Sequence, residues 1–553
     1  MRATAPSFRT LLIATTAAAS AALALAPAVA NASGNSAKSV TVKGTFQHLV
    51  ADGRASQLHL NRDVVVSGTK MYDVKLPKGT HGKPGTTVTV TGTQSGSTID
   101  ATQISFAPAS STGGKKSPGP SPSPTPTPGS TAGVTLATSA SHYDRVLVIL
   151  ATWTQPDSVT QAQAQQQFFG ADNTWFNQVS YGAYGLTGDV TPWVTIAGPD
   201  NGLCLGNSAQ VLSQAEAAAL ADGFNSTLYD RTVVYFPSQS SPDCSGYAGW
   251  SYQPGNVVWL NGAMDLRTTV HEQGHNLGLG HAHADVCQDA AGSYVTLSTT
   301  CQYDEYGDAY DAMGASGYAA DYSAGLKSGL GWGNARAVDL TAGGTAVLSP
   351  IESTTGTPYI TVNAGSDVYY VETRAAVGPD AQLPSAATDG VIVHQLDPTS
   401  QQVGLLDMTP DGNFSAPALR FGGAWGLPNG MWLNVGSPTS AGVPVSVTAA
   451  PLDVVAPHDV TGVSATVRKG QLTLAWTNPT DPDLAKINVV VTRDGSDPRL
   501  AGTASYSGLG TSVVTTAPGA TALRFVITAT DTSGNVSTGV SGQVSSTGKL
   551  TLG

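Results

Sequence analysis

The sequence predicts a multi-domain chain in which an α/β core is flanked by all-β domains, and three observations carry that prediction. Short runs alternating apolar and polar residues fill the region from Lys38 to about Phe106 and return after Trp332. Between about His142 and Trp332, buried-strand runs alternate with helical patterns, as α/β layers require. Charge is scarce: 12% of 553 residues are Asp, Glu, Lys or Arg, with 63 Gly and 33 Pro, against roughly 25% charged in an ordinary soluble domain. This is the profile of a β-rich secreted protein, and its length allows three or four domains at about 150 residues each. A net charge of −12 argues against nucleic acid and anionic membrane surfaces as partners, since both demand basic patches.

Arg2 and Arg9 precede an apolar stretch from about Leu11 to Ala26, and small-x-small sites follow at Ala28-Val29-Ala30 and Ala30-Asn31-Ala32. Residues 1–32 therefore read as a secretory signal peptide. Thr15, Thr16, Ser20 and Pro27 interrupt a span that a membrane anchor would need intact over about 20 residues. The strand pattern over 38–108 predicts a small β-barrel or sandwich, a candidate pro-region. Alternating prolines from Pro118 to Pro128 make 109–133 a semi-rigid linker.

The core, 134–336, opens on the strand run RVLVILATW and a capping box, Ser158-Val-Thr-Gln161, at a helix start. Further strands read Arg231 to Pro237 and Asn256 to Gly262. Four cysteines, Cys204, Cys244, Cys287 and Cys301, fall in this region, suit an oxidising compartment and allow three connectivities. Closing the shorter loops favours Cys204 with Cys244 and Cys287 with Cys301.

Four of the ten histidines, His271, His275, His281 and His283, lie close together in HEQGHNLGLGHAH. At about 100° per residue, His271 and His275 share one helix face and can offer two imidazoles to one ion. Gly278 lets the helix stop and the chain turn back, bringing His281 in as a third ligand. Three neutral imidazoles with an open fourth position are the arrangement of one catalytic zinc ion rather than a structural one. Glu272, beside the metal and not on it, is placed to act as general base toward a metal-activated water, and peptide-bond hydrolysis follows. His283 is either an orienting residue or a solvent-facing loop histidine.

The extended histidine string, with Met313 in EYGDAYDAMG downstream, WFNQVSYGAYGLTGDVTPWVTI before it and YSAGLKSGLGW after it, resembles the gametolysin-type metallopeptidases, a metzincin family with bacterial secreted members. The resemblance covers about a third of the chain. It implies an α/β metzincin core in which His271, His275 and His281 bind zinc, Glu272 is the base and Met313 forms the Met-turn. It also implies that the strand around Gly246 to Trp259 is the edge on which an extended polypeptide substrate pairs. Two features depart from related enzymes. The position two after Met313 is Ala315, so a switch tyrosine is absent there, with Tyr318 and Tyr322 unassigned. No cysteine precedes Cys204, which excludes a prodomain cysteine switch and leaves any inhibition by the first β domain to another group.

Residues 337–451 read as a β-sandwich-like domain packed on the core, and nothing in the spacing of Glu372 and His394 marks a second site. Residues 452–553, with Trp476 as core tryptophan, resemble a fibronectin type III domain that lacks the tyrosine corner, Leu523 standing where the tyrosine belongs. Calcium is a second candidate cofactor for which the sequence marks no ligand set. The leading expectation is a secreted zinc endopeptidase. Its rivals are an extracellular adhesin binding cell surface or matrix through its β domains around a vestigial protease core, and a zinc-dependent amidase acting on peptidoglycan or glycoprotein.

Overall fold

The computed structural model describes residues 38–54, 58–107, 142–397, 402–453, 455–493, 498, 505–516 and 522–552. The signal-peptide and proline-linker expectations lie outside them. The described chain is multi-domain and mostly β, with several sheets. No helix among the described residues is long and apolar enough to cross a membrane.

The N-terminal strands are β1 (Lys38–Gly53), β2 (His59–Ser67), β3 (Lys70–Lys75), β4 (Thr87–Ser95) and β5 (Thr98–Phe106). The first half of β1 pairs with β4 and its second half with β2; β2 pairs with β3, β3 with β5, and β5 with β4, so the ring closes as a five-stranded barrel. Alternate side chains fill it, among them Phe46, Val65, Val88, Val90 and Ile99.

The core sheet is built from β6 (His142–Thr152), β7 (Tyr184–Val190), β8 (Val194–Thr195), β9 (Arg231–Phe236), β10 (Tyr247–Tyr252) and β11 (Val257–Asn261). Its order is β10-β11-β9-β6-β7, parallel except for β10, with β8 extending β6. The helices are α1 (Gln161–Gln166), α2 (Asn173–Val179), α3 (Ser208–Ala221) and α4 (Leu266–Leu277). Val146, Val148 and Leu150 pack with Phe176 of α2 and Val270 of α4, while Leu147, Ile149 and Ala151 pack with Val211 and Ala215 of α3. Helices thus cover both faces of the sheet, which is why its strands read as unbroken apolar runs. The barrel is not separate from this sheet, because β1 pairs antiparallel with β10 and extends it.

The capping box sits two residues later than expected. Thr160 caps α1 with Gln163 as its reciprocal partner. Ser158-x-x-Gln161 and Thr160-x-x-Gln163 are overlapping boxes of the same type, and the second wins because the first residues are held outside the helix. The Val159 amide donates to Asp157 at 2.8 Å, its carbonyl accepts from the Trp193 indole at 2.8 Å, and the Gln161 side chain donates to the Val190 carbonyl at 2.6 Å.

After α4 come β12 (His283–Gln288), β13 (Tyr294–Val295), β14 (Cys301–Asp304), α5 (Ala324–Gly329), β15 (Val338–Asp339), β16 (Gly344–Leu348), β17 (Tyr359–Ala364), β18 (Asp367–Glu372), β19 (Gly390–Asp397) and β20 (Gln402–Leu406). Strands β12 to β14 leave the α/β core and join a second sheet ordered β13-β12-β20-β19-β18-β17-β15, with β12 parallel to β20. The sequence boundary at 336/337 therefore divides the chain but not the sheet. A four-stranded sheet containing β16 packs on this one, and a further pair of sheets from Thr461 onward encloses Trp476 and Leu523. Both disulfides pair as the shorter loops favour, Cys204 with Cys244 and Cys287 with Cys301.

Glu372 and His394, unremarkable in sequence, tie the second sheet to the core. His394 Nε2 meets the Asp308 carboxylate at 2.9 Å. Glu372 accepts from the Ala324 amide and from Arg374, whose guanidinium also reaches Asp380 at 3.1 Å and the Tyr310 carbonyl at 2.8 Å. Beside them Lys327 pairs with Asp321 at 2.7 Å, with both side chains buried. Removing one member strands its partners as uncompensated buried charge. Arg374→Met is expected to lower stability by about 3–5 kcal/mol, read as a shift in urea midpoint. The half-exposed Arg145 is the control, and Arg145→Met should cost no more than about 1 kcal/mol.

Candidate metal centre

Helix α4 presents the site. Asp265 caps its start, accepting from the Thr268 amide at 3.1 Å, and Gly278 ends it in the left-handed conformation at φ 100°. Asn276 pins the helix to the β10–β11 hairpin, donating to the Tyr252 and Val257 carbonyls at 2.9 and 3.0 Å. On the other side Asp172 accepts from Thr269 at 2.8 Å and Gln273 at 2.9 Å. Burial pushes the Asp172 carboxyl up to about 8 despite these donors. Beneath the helix lies Met313, fully buried. A Cβ on Gly274 would stand 2.5 Å from the Met313 sulfur, so helix and turn approach as closely as they do only because that residue is glycine. Arg267 locks the same turn by donating to the Ser316 and Gly314 carbonyls at 2.6 and 3.0 Å.

The structure brings His271, His275 and His281 together, with ring centroids 4.9 to 5.5 Å apart. Each Nδ1 faces an oxygen: Ala312 carbonyl for His271 and Leu279 carbonyl for His275, both at 2.8 Å, and Glu305 carboxylate for His281 at 2.7 Å. Those acceptors place the proton of a neutral imidazole on Nδ1 and leave Nε2 as a lone pair. The three Nε2 atoms converge on a fourth group that sequence reasoning missed. Asp52, near the end of β1, lies with its carboxylate 2.8 Å from His281 Nε2, 3.2 Å from His275 Nε2 and 3.5 Å from His271 Nε2. Tyr306 donates its hydroxyl to the same carboxylate.

Ligand atoms of Asp52, His271, His275 and His281 all lie within 4.8 Å of one another, and all four residues are buried. His271 Nε2 has no hydrogen-bond partner. Protonating all three rings to satisfy one carboxylate would put a large net positive charge in a space closed to water, which is costly. A metal ion satisfies every lone pair at once, so the donor set fits one. Without it the electrostatics are divided. Burial opposes charge at all three rings and draws His271 down and His275 to about 4, whereas the Asp52 and Glu305 carboxylates overcome it at His281 and push that ring up to about 9.

Glu272 is 1% exposed and does not belong to the ligand cluster. Ser251 of β10 donates to its Oε2 at 2.9 Å, while Oε1 finds no donor. A Cβ on Gly249 would stand 2.8 Å from Oε1, so β10 lies directly against the carboxylate. Burial and the adjacent Asp52 carboxylate hold Glu272 well above the usual carboxyl range. Burial alone would raise Asp52 as well, but His271 and His281 hold it well below that range.

His283 is not solvent-facing. It is 5% exposed, opens β12 and stacks near Tyr303 with ring centroids 4.4 Å apart, because β12 turns away into the second sheet. Tyr322 is buried with its hydroxyl on the Val270 carbonyl at 3.1 Å. Tyr318 packs at the edge of a neighbouring apolar cluster. The tyrosine at the histidine cluster is Tyr306, whose ring centroid lies 4.1 Å from that of His281.

One metal ion per chain is expected by elemental analysis, lost in His281→Ala. Glu305→Gln, which keeps the shape but weakens the acceptor on His281 Nδ1, should lower metal affinity by about 10–100-fold in a competition titration.

No protein-family model matches the chain, and neither does any curated protein. Among solved structures, the spore cortex lytic enzyme SleM of Clostridium perfringens is similar over 23% of this chain and 40% of its own, at 17% identity and a TM-score of 0.14, a likeness too slight to carry an argument.

Proposed function

We propose that the chain is a secreted zinc-dependent endopeptidase of the gametolysin-type metzincin kind, acting on extended polypeptides. The observation that supports this best is the convergence of three Nε2 lone pairs, each fixed by an oxygen on its Nδ1, beside a buried glutamate that is not itself a ligand. His271, His275 and His281 would hold the zinc. When bound, zinc polarises a substrate carbonyl and acidifies water.

The chain's own residues divide the remaining work. Glu272, oriented by Ser251, takes a proton from the attacking water as its oxygen bonds to the carbonyl carbon. It returns that proton to the amide nitrogen as the C–N bond breaks. β10 is not a free edge, since β1 pairs along it; with β1 displaced, that side of β10 would bind substrate backbone by strand addition, which favours extended chains over folded ones. Secretion rests on the sequence of residues 1–32, and the two disulfides agree with an oxidising compartment. The C-terminal pair of sheets is read as a fibronectin type III-like spacer.

One observation favours a second reading. With Asp52 the cluster has four protein donors, and structural metal sites are closed in this way. The chain would then be an extracellular binding protein stabilised by its metal. The two readings separate on Glu272, which only an enzyme needs. Compared after limited proteolysis has freed β10 from β1 in both proteins and the added protease has been inhibited, Glu272→Gln should retain the metal and cleave an unfolded protein substrate at least about 10²-fold more slowly than the protein with Glu272, the effect of losing a general base. A chelator should abolish cleavage by the protein with Glu272. Cleavage that survives both treatments rules out the endopeptidase.

A further inference from the structure

On the endopeptidase reading, we propose that the N-terminal barrel holds the enzyme latent, with Asp52 occupying the metal's fourth position and β1 filling the substrate edge. Two independent features of the fold coincide here. First, β1 pairs antiparallel with β10 from Leu49↔Tyr252 to Asp52↔Gly249. That is the strand against whose inner side Glu272 rests through Ser251 and Gly249. A substrate laid on β10 would need the hydrogen bonds that β1 already takes. Second, the register shifts between Asp52 and Gly53, leaving Ala248 of β10 unpaired between their partners. A bulge of this kind re-aims side chains, and here the Asp52 carboxylate lies among the three histidines.

The arrangement resembles a bound substrate with the scissile group replaced. Asp52 brings to the position the metal would take a carboxylate, which has no amide bond to break, where a substrate would bring a peptide carbonyl. The barrel is fastened on both sides of this point. Arg54 donates its amide to the Gly246 carbonyl at 2.7 Å, and the Gln253 amide donates to the His48 carbonyl at 3.0 Å. Leu49, Ala51, Val64 and Met71 share one apolar cluster with Trp250 and Tyr252. Such burial suits a plug meant to stay in place until the barrel is displaced, rather than one in rapid exchange. It also accounts for the fourth donor without making the metal structural.

The test uses the full-length protein loaded with Co²⁺, whose visible absorption reports the ligands around the ion, and acetohydroxamate as a small probe of an open metal position. Native protein should show no spectral change with the probe. Asp52→Ala should bind it with a new absorption band and release metal to a chelator at least about 10-fold faster, as loss of a metal-contacting partner implies. Asp52→Asn keeps the side-chain shape and carries the same comparison should the alanine variant fail to fold. Equal probe binding and equal metal release in native and variant proteins would overturn the latency while leaving the endopeptidase reading intact. Absence of bound metal from every form, with no cleavage by any, would overturn both.

Discussion

Three buried imidazoles whose lone pairs converge on one small space beside a carboxylate need a cation or protons to balance them, and the donor set fits a metal ion. That constraint governs the architecture around α4. Each ring is turned by an oxygen from a different part of the chain: the carbonyl above Met313, the carbonyl just past the helix end, and Glu305 in the segment returning from the second sheet. The helix end at Gly278, the glycine at 274 and the buried methionine then read as conditions for keeping those three oxygens in register. Moving any one turns a lone pair into a misdirected proton.

The same economy explains where the scarce charges are spent. A chain with 12% charged residues has placed several of them in closed interiors. Asp308, Asp311, Asp321, Lys327, Glu372, Arg374, Asp380 and His394 are all buried. Asp311 accepts from the Met313 and Ser323 amides at 2.7 and 2.6 Å, so the turn beneath the histidines is built on the same ionic layer that joins the two sheets. Such a layer adds little net stability over apolar packing, yet it penalises misplacement heavily. It therefore fixes the turn's position relative to α4.

The local part of the site was legible in sequence because it is local. Helical spacing puts His271 and His275 on one face, a glycine stops the helix, and Met313 follows within the same domain. The barrel strands and the parallel runs of the core were legible for the same reason, through their alternation or its absence. Asp52 was not, because 223 residues separate it from His275 and Asp52-Gly53 reads as an ordinary turn signal at a strand end. Tyr306 and Glu305 stood in a recognised segment without a role, since sequence does not show which side chains a returning loop turns inward. The destination of β12 to β14 was equally hidden: short strands carry weak patterns, and their partners in β20 lie more than a hundred residues on.

The strands between His281 and Met313 belong to a sheet whose other members are encoded later in the gene. The core that carries the histidine cluster and its C-terminal neighbour are consequently not interchangeable modules, although they look like adjacent beads in the primary structure. Recombination at the apparent junction near residue 336 would deliver a core without the sheet that completes it. Among the described residues, the sheets beginning near Thr461 share no strand with the rest of the chain, so they could be exchanged without opening another sheet, whereas the core and its neighbour would have to move as an interlocked pair.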